Sequence, residues 1–202
     1  RLLILDLGVT VFLSLTLLSF LLAAKSPSSR TQNSWLLGFY AGSALAVLTK
    51  GIIGAVIPGT IILLWTIPWK RWSELKLAFK PWGVSLFFLI AAPWHILVSL
   101  KNPEFPYFYF IYEHFTRFTT IEHGRFQPWW FFIPILLVGL FPWIYFLPQA
   151  VNHAWKRLPG DIVQFLGLWV GFVFIFFSIS HSKLIPYILP IFPPLSLLLG
   201  VY

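Results

Sequence analysis

Residues 2–24 read LLILDLGVTVFLSLTLLSFLLAA, an apolar run interrupted by a single acid, Asp6, and a few small or hydroxylated side chains. A helix needs about 20 such residues to cross the hydrocarbon of a bilayer, and a run of that length is out of place in the core of an ordinary soluble domain. The same reading carried along the chain finds apolar segments at 36–49, 51–69, 82–100, 129–147, 162–180 and 185–202. Composition agrees, since 58% of the 202 residues are hydrophobic and 10% are charged, against about 25% charged in a typical soluble domain. The expected fold is all-α, a polytopic transmembrane helical bundle of about seven hydrophobic segments. It reads as a single domain over 1–202, because no internal repeat and no Gly/Ser-rich linker divides it.

Only Lys50 and Gly51 separate 36–49 from 51–69. That predicts a short helical hairpin with its tip near a membrane surface, where glycine lets the backbones approach closely. Prolines 58, 93, 134, 142, 186, 190, 193 and 194 fall within or at the ends of spans and predict kinks. The connections 25–34, 70–80 and 148–161 hold Lys25, Arg30, Lys70, Arg71, Lys76, Lys80, Lys156 and Arg157, eight of the fourteen basic residues. Alternating spans put these loops on one side, which the positive-inside tendency makes cytoplasmic. The opposite side then receives Asp6, Lys50, the 101–128 segment and the corner from His181 to Lys183.

The formal charge of +8 is dispersed between spans rather than gathered in a stripe. It therefore suits orientation and contact with the anionic headgroups of membrane lipids, and excludes nucleic acid as a partner. The chain has no cysteine, which removes disulfides, thiolate metal sites and a cysteine nucleophile. It also has no initiator methionine, so the true N-terminus is expected further upstream.

Three polar corners on the non-cytoplasmic side invite chemistry. Asp6 needs a partner or a cavity, because an unpaired carboxylate in hydrocarbon costs several kcal/mol. The plain alternative is an interfacial acid that reaches water. Lys50, in Leu48-Thr49-Lys50-Gly51, suits a phosphate or a snorkelling anchor, and the glycine-rich spacing of a nucleotide phosphate loop is absent.

The 101–128 segment reads as an external amphipathic helix over Tyr109 to Phe118. Glu113 and Arg117 stand four apart on one face with His114 beside them, so that Arg117 can hold a phosphate bidentately while Glu113 orients it, or the two form a surface ion pair. His114 and His123 with Glu113 or Glu122 lack a recognised metal-ligand spacing. In Ser180-His181-Ser182-Lys183, followed by Leu184-Ile185-Pro186-Tyr187, the four-residue separation of Lys183 and Tyr187 suits a shared anionic oxygen. His181 with Ser182 lacks the third group of a nucleophilic triad.

Taken in order, Leu48-Thr49-Lys50-Gly51, Glu113-His114-Phe115-Thr116-Arg117-Phe118, His123-Gly124-Arg125-Phe126 before Trp129-Trp130, and Ser182-Lys183-Leu184-Ile185-Pro186-Tyr187-Ile188-Leu189-Pro190 form a pattern. It resembles the polyprenyl-phosphate-dependent glycosyltransferases of the C-type membrane fold, the bacterial relatives of protein O-mannosyltransferases and aminoarabinose transferases. The resemblance covers the whole chain but only a middle portion of a family member, with an N-terminal segment and a C-terminal region missing. It implies sugar transfer from a polyprenyl-phosphate donor to a lipid A-like, glycan or protein acceptor at the extracytoplasmic face of the inner (plasma) membrane.

The resemblance further implies Arg117, Lys183, Tyr187 and Lys50 as contacts of the donor phosphate. Glu113, His114 and His123 would line the cavity or brace it, and Asp6 would support catalysis. The family's catalytic aspartate and an acid associated with a divalent metal belong to an earlier external loop whose motif no residue here matches, so any such metal is expected to be bound mainly outside this chain. A polytopic transporter or lipid flippase is the alternative reading of the same charges, although transporters commonly carry internal repeats and midplane sites.

Overall fold

A computed structural model of the chain describes residues 5–109, 112 and 127–202. The described residues are helical and contain no strand. The chain falls into two compact units, Arg1–Arg117 and Phe118–Tyr202.

In the first unit α1 spans Leu5–Ala24, α2 Ser29–Lys50, α3 Ile53–Thr66, α4 Trp72–Leu77 and α5 Pro81–Lys101. α1 and α2 form an antiparallel pair packed through small residues: a Cβ on Gly42 would lie 2.8 Å from Thr16 Oγ1, and one on Gly38 2.6 Å from Ser19 Oγ. Helices in lipid gain attraction through such close backbone approach, because burying apolar surface offers little advantage over leaving it in hydrocarbon. The helix α2 starts earlier than the apolar run at 36–49 suggests. Ser28 caps it, its Oγ accepting from Thr31 N at 3.2 Å, and a capped polar first turn escapes a search for apolar runs.

The expected hairpin at Lys50-Gly51 is present. Gly51 sits at φ 86°, ψ −161° and donates its N–H to Val47 O at 2.8 Å, in a backbone region open essentially to glycine alone. Three residues on, a Cβ at Gly54 would stand 2.4 Å from the backbone of Ala46 and Val47. Glycine is what allows α3 to lie directly on α2.

The core of this unit collects Leu13, Leu17 and Phe20 of α1, Leu36 and Phe39 of α2, and Ile57, Ile61 and Trp65 of α3. Phe20 meets Phe39 at 5.3 Å and the edge of Trp65 at 6.3 Å. Tyr40 ties α2 to the next corner, donating to Leu77 O at 2.7 Å and accepting from Lys80 N at 3.0 Å. Gly83 lies directly against its ring. Cations gather at this end: Arg71 stands over the buried ring of Trp65 at 4.5 Å and Lys25 over the same ring at 5.9 Å. Asp6, Lys50 and Lys101 occupy the opposite ends of their helices. The charge separation expected from alternation is therefore built into this unit.

The second unit holds α6 Phe132–Gly139, a 3-10 turn Trp143–Phe146, α7 Leu147–Arg157, α8 Gly160–Ile179, a 3-10 segment Ile185–Ile191 and α9 Phe192–Gly200. The kink expected at Pro142 in the run 129–147 is present, the helices on either side of residues 140–142 differing in direction by 95°. Pro142 lacks an N–H and its ring collides with the preceding turn, so a helix entering from Gly139 cannot run through it. The segment 148–161, read as a connection, is largely α7, with Ala150 and Ala154 buried and Lys156 and Arg157 in its last turn. An amphipathic helix is too polar to register as an apolar run. Pro58 and Pro93, by contrast, sit inside the continuous helices α3 and α5.

Among the described residues three helices, Leu5–Ala24, Pro81–Lys101 and Gly160–Ile179, are long and apolar enough to cross a membrane, and four if the bent pair counts as one span. Much of their surface, including Leu89, Leu97, Leu100 and Ile179, is exposed. Lipid is the solvent that suits it.

Candidate active site

The first corner joins Asp6, in the first turn of α1, to Lys50, the last residue of α2. Lys50 Nζ donates to Asp6 Oδ1, and the two side chains keep only 10% exposure for the acid and 21% for the lysine. The antiparallel α1–α2 pair brings residues 44 apart in sequence to the same end. Thr10 Oγ1 donates to Asp6 O at 2.7 Å, and Thr49 Oγ1 to Leu45 O at 2.7 Å. The carboxylate that needed a partner has one, and the pair carries no net charge. Nearby, Tyr109 donates to Val47 O at 3.4 Å and stacks on Phe105 at 4.8 Å, so an aromatic cluster with Trp94 and His95 flanks the hairpin.

The second corner lies between α8 and the following 3-10 segment. α8 ends at Ile179, Ser180 turns extended at ψ 140°, and Ser180 Oγ donates to Ser182 O at 3.1 Å. Lys183 is buried at 5% exposure, and its Nζ donates to Ser180 O at 2.6 Å and Gln127 O at 2.7 Å. Among the described residues no carboxylate approaches it, and burial pushes its ammonium below the ordinary lysine value. Two carbonyl dipoles orient the cation without neutralising it.

Tyr187 lies half-buried with its ring 5.4 Å from Phe177. The four-residue separation of Lys183 and Tyr187 is not a helical turn, because Leu184 is extended and a 3-10 segment starts at Ile185. Pro186 and Pro190, which lack N–H donors, disfavour an α-helix there. Ser182 Oγ is buried and has no hydrogen-bond partner, so His181 does not activate it and no serine nucleophile is set up. Ser178 Oγ, in the last turn of α8, is a second buried hydroxyl without a partner. Sequence reading had no signal for it, since a serine in an apolar helix usually bonds back to its own backbone.

Glu113, His114, Arg117 and His123, together with most of the expected external helix, lie outside the described residues. The described residues contain no group of three His, Asp or Glu able to hold a metal ion, so they do not by themselves fit the divalent metal that the resemblance implies.

Residues 1–109 match the family model described as dolichyl-phosphate-mannose-protein mannosyltransferase. The chain is 36% identical over 190 residues to undecaprenyl phosphate-alpha-4-amino-4-deoxy-L-arabinose arabinosyl transferase 2 of Pseudomonas fluorescens, covering 94% of this chain and 34% of that protein. It is 37% identical over 199 residues to transferase 1 of the same description from Proteus mirabilis, covering 98% and 36%. Its fold is similar to the crystal structure of ArnT from Cupriavidus metallidurans bound to undecaprenyl phosphate, with a TM-score of 0.89 and 33% identity over 98% of this chain and 36% of that one. The apo form of the same protein gives a TM-score of 0.84. The chain spans about a third of the length of the curated relatives it matches.

Proposed function

We propose, from the premise that this chain belongs to the dolichyl-phosphate-mannose-protein mannosyltransferase family, that it is part of a membrane glycosyltransferase using a polyprenyl-phosphate-linked sugar. The acceptor is a lipid of the lipid A kind, another glycan or a protein, and transfer takes place on the extracytoplasmic face of the inner membrane. The relatives' names favour 4-amino-4-deoxy-L-arabinose as the sugar and undecaprenyl phosphate as its carrier.

The observation that carries the proposal is Lys183, a buried ammonium held by two carbonyls and balanced by no described carboxylate. In the proposed reaction an acceptor oxygen attacks the anomeric carbon. The bond from that carbon to the phosphate oxygen breaks, and polyprenyl phosphate departs with the electron pair. Negative charge grows on the phosphate as the bond lengthens, so a fixed cation in a poorly hydrated site lowers the barrier.

Lys183 is the donor-phosphate cation of this account, with Tyr187 supplying a hydrogen bond and Arg117 a second positive charge. Lys50, already paired, contributes field rather than a ligand contact, and Asp6 supports it. Glu113, His114 and His123 line or brace the cavity. A divalent metal, if the enzyme needs one, is held mainly by residues outside this chain.

The test is release of polyprenyl phosphate by the full-length protein in detergent, across a panel of lipid-linked sugars and acceptors. Turnover with the aminoarabinose donor supports the proposal, and Arg117→Ala should abolish that turnover while leaving folded protein. Flux of the donor across liposomes with no transfer would instead make the protein a transporter or flippase.

A further inference from the structure

Away from the Asp6–Lys50 corner, the first unit contains a cavity of about 340 Å³ lined by α2, α3, α4 and α5. Phe39, Pro58, Gly59, Ile62, Phe87 and Phe88 are among the residues of its wall. Its two hydroxyls are already engaged: Ser43 Oγ donates to Gly54 O at 3.2 Å, and Tyr40 OH donates to Leu77 O. An occupant therefore meets hydrocarbon only. Leu75 and Phe79 line this cavity and also a second one of about 440 Å³, whose other walls include Trp72, Lys76, Lys80 and Pro81. The apolar groove thus adjoins, across Leu75 and Phe79, a mouth that carries two lysines.

The mouth is electropositive. From 70 to 80 the chain holds Lys70, Arg71, Lys76 and Lys80 against the single acid Glu74. Lys76 is exposed. Lys80 Nζ donates to Gln32 Oε1 at 3.3 Å and Asn33 Oδ1 at 2.9 Å, both uncharged, so its position is fixed while its charge stays uncompensated. An apolar groove beside a mouth lined by two cations matches one chemistry, a fatty chain attached to a phosphate.

Position separates this groove from the Asp6–Lys50 corner. Lys80 is anchored at the first turns of α2, whereas Lys50 is the last residue of the same helix. The 17 residues from Asn33 to Lys50 rise about 25 Å at 1.5 Å each. A phosphate held at Lys76 and Lys80 cannot also lie beside Lys50.

We infer that the groove between α2, α3, α4 and α5 binds one acyl chain of an anionic membrane glycerophospholipid whose phosphate is held by Lys76 and Lys80. The inference stands independently of the transferase reading.

Two substitutions test it in the full-length protein. Gly59 lines the slot, and a Cβ there meets nothing within 4 Å, so the side chain of Gly59→Leu starts in open space and takes up volume in the groove. Lys76→Gln removes a cation that supports no described hydrogen bond. Phosphatidylglycerol and phosphatidylcholine are the probes, and lipid retained on the purified protein is counted by native mass spectrometry.

The wild-type protein should hold phosphatidylglycerol in preference to phosphatidylcholine. Lys76→Gln should weaken that preference about fivefold, the effect of one cation near an anionic surface. Gly59→Leu should abolish retention of phosphatidylglycerol with unchanged thermal unfolding. Wild-type retention in Gly59→Leu, or equal retention of both lipids by the wild type, would overturn the inference. So would a raised KM for the polyprenyl-linked donor in Gly59→Leu with phosphatidylglycerol still bound. That last result gives the groove to the donor's chain and leaves the transferase reading standing.

Discussion

Lys50 and Lys183 are both lysines drawn largely out of water, one at the end of a helix and one just past it, yet they are compensated in different ways. Lys50 meets a full negative charge on Asp6, whereas Lys183 meets only the carbonyl dipoles of Ser180 and Gln127. A carboxylate cancels the cation and fastens α1 to α2 in the process. Carbonyls hold an ammonium in place but leave its charge, and burial makes that charge costly until an anion arrives. The contrast teaches that a lysine's burial and its sequence motif do not rank it as a ligand. The charge of its partner does, and on that criterion Lys183 is the proposed phosphate contact and Lys50 the fastening.

Substitutions can break this contrast. Lys183→Ala should lower kcat for sugar transfer by about 10²–10³, the loss seen when one preorganised donor to a developing anion is removed. Near-normal turnover in folded Lys183→Ala would reverse the ranking of the two lysines.

Asp6→Asn should act first on stability, by about 1–3 kcal/mol, because it strands a largely buried lysine; the remaining exposure keeps the effect between those of surface and fully buried pairs. Chemical denaturation of the single variant and of Asp6→Asn/Lys50→Gln measures it. The double variant should recover part of the loss. If the two substitutions simply add, the pair does not couple the helices.

Gly51→Ala tests the hairpin that presents Lys50. At φ 86°, ψ −161° an alanine is strained, which should cost about 1–2 kcal/mol; unchanged thermal unfolding would mean that the turn relaxes freely.

The smallest expected effect is a displaced pH limb. Burial lowers the Lys183 ammonium below 10.5, so donor affinity should fall at less alkaline pH than an ordinary lysine would allow. The sign for folding is opposite. The buried charge destabilises the protein below its folded pKa, and that cost is relieved as pH rises from there toward the unfolded value. Lys183→Arg should move the affinity limb to higher pH, and an unmoved limb would assign it to another group.

Much of the fold was legible because hydrocarbon imposes a length rule. The segments 82–100 and 162–180 lie within a residue or two of Pro81–Lys101 and Gly160–Ile179. What escaped was helix of another character. The first turn of α2 is polar and held by Ser28, and α7 is amphipathic, so neither is an apolar run. The bend after Gly139 was legible in Pro142, whose missing N–H predicts a kink, but its size of 95° was not.

At the site, the need of Asp6 for a partner followed from the cost of burying a carboxylate. Its identity was less visible, since Lys50 is 44 residues away and no local spacing links them. The clue was topological: opposite charges at the same end of two adjacent antiparallel spans. The carbonyl cradle of Lys183 had no sequence signal at all, because backbone acceptors are the same in every residue.

The most direct test of the phosphate assignment is equilibrium binding of polyprenyl phosphate to the full-length protein. The comparison is between wild type, Lys183→Ala and the charge-neutral Asp6→Asn/Lys50→Gln variant. Lys183→Ala should bind about tenfold more weakly or worse, matching the about 1.5–3 kcal/mol of a charge-assisted hydrogen bond, and the neutral pair should bind nearly as the wild type does. Unchanged affinity in Lys183→Ala, with the larger loss in the Asp6/Lys50 variant, would contradict the assignment of Lys183 as the cation that holds the phosphate.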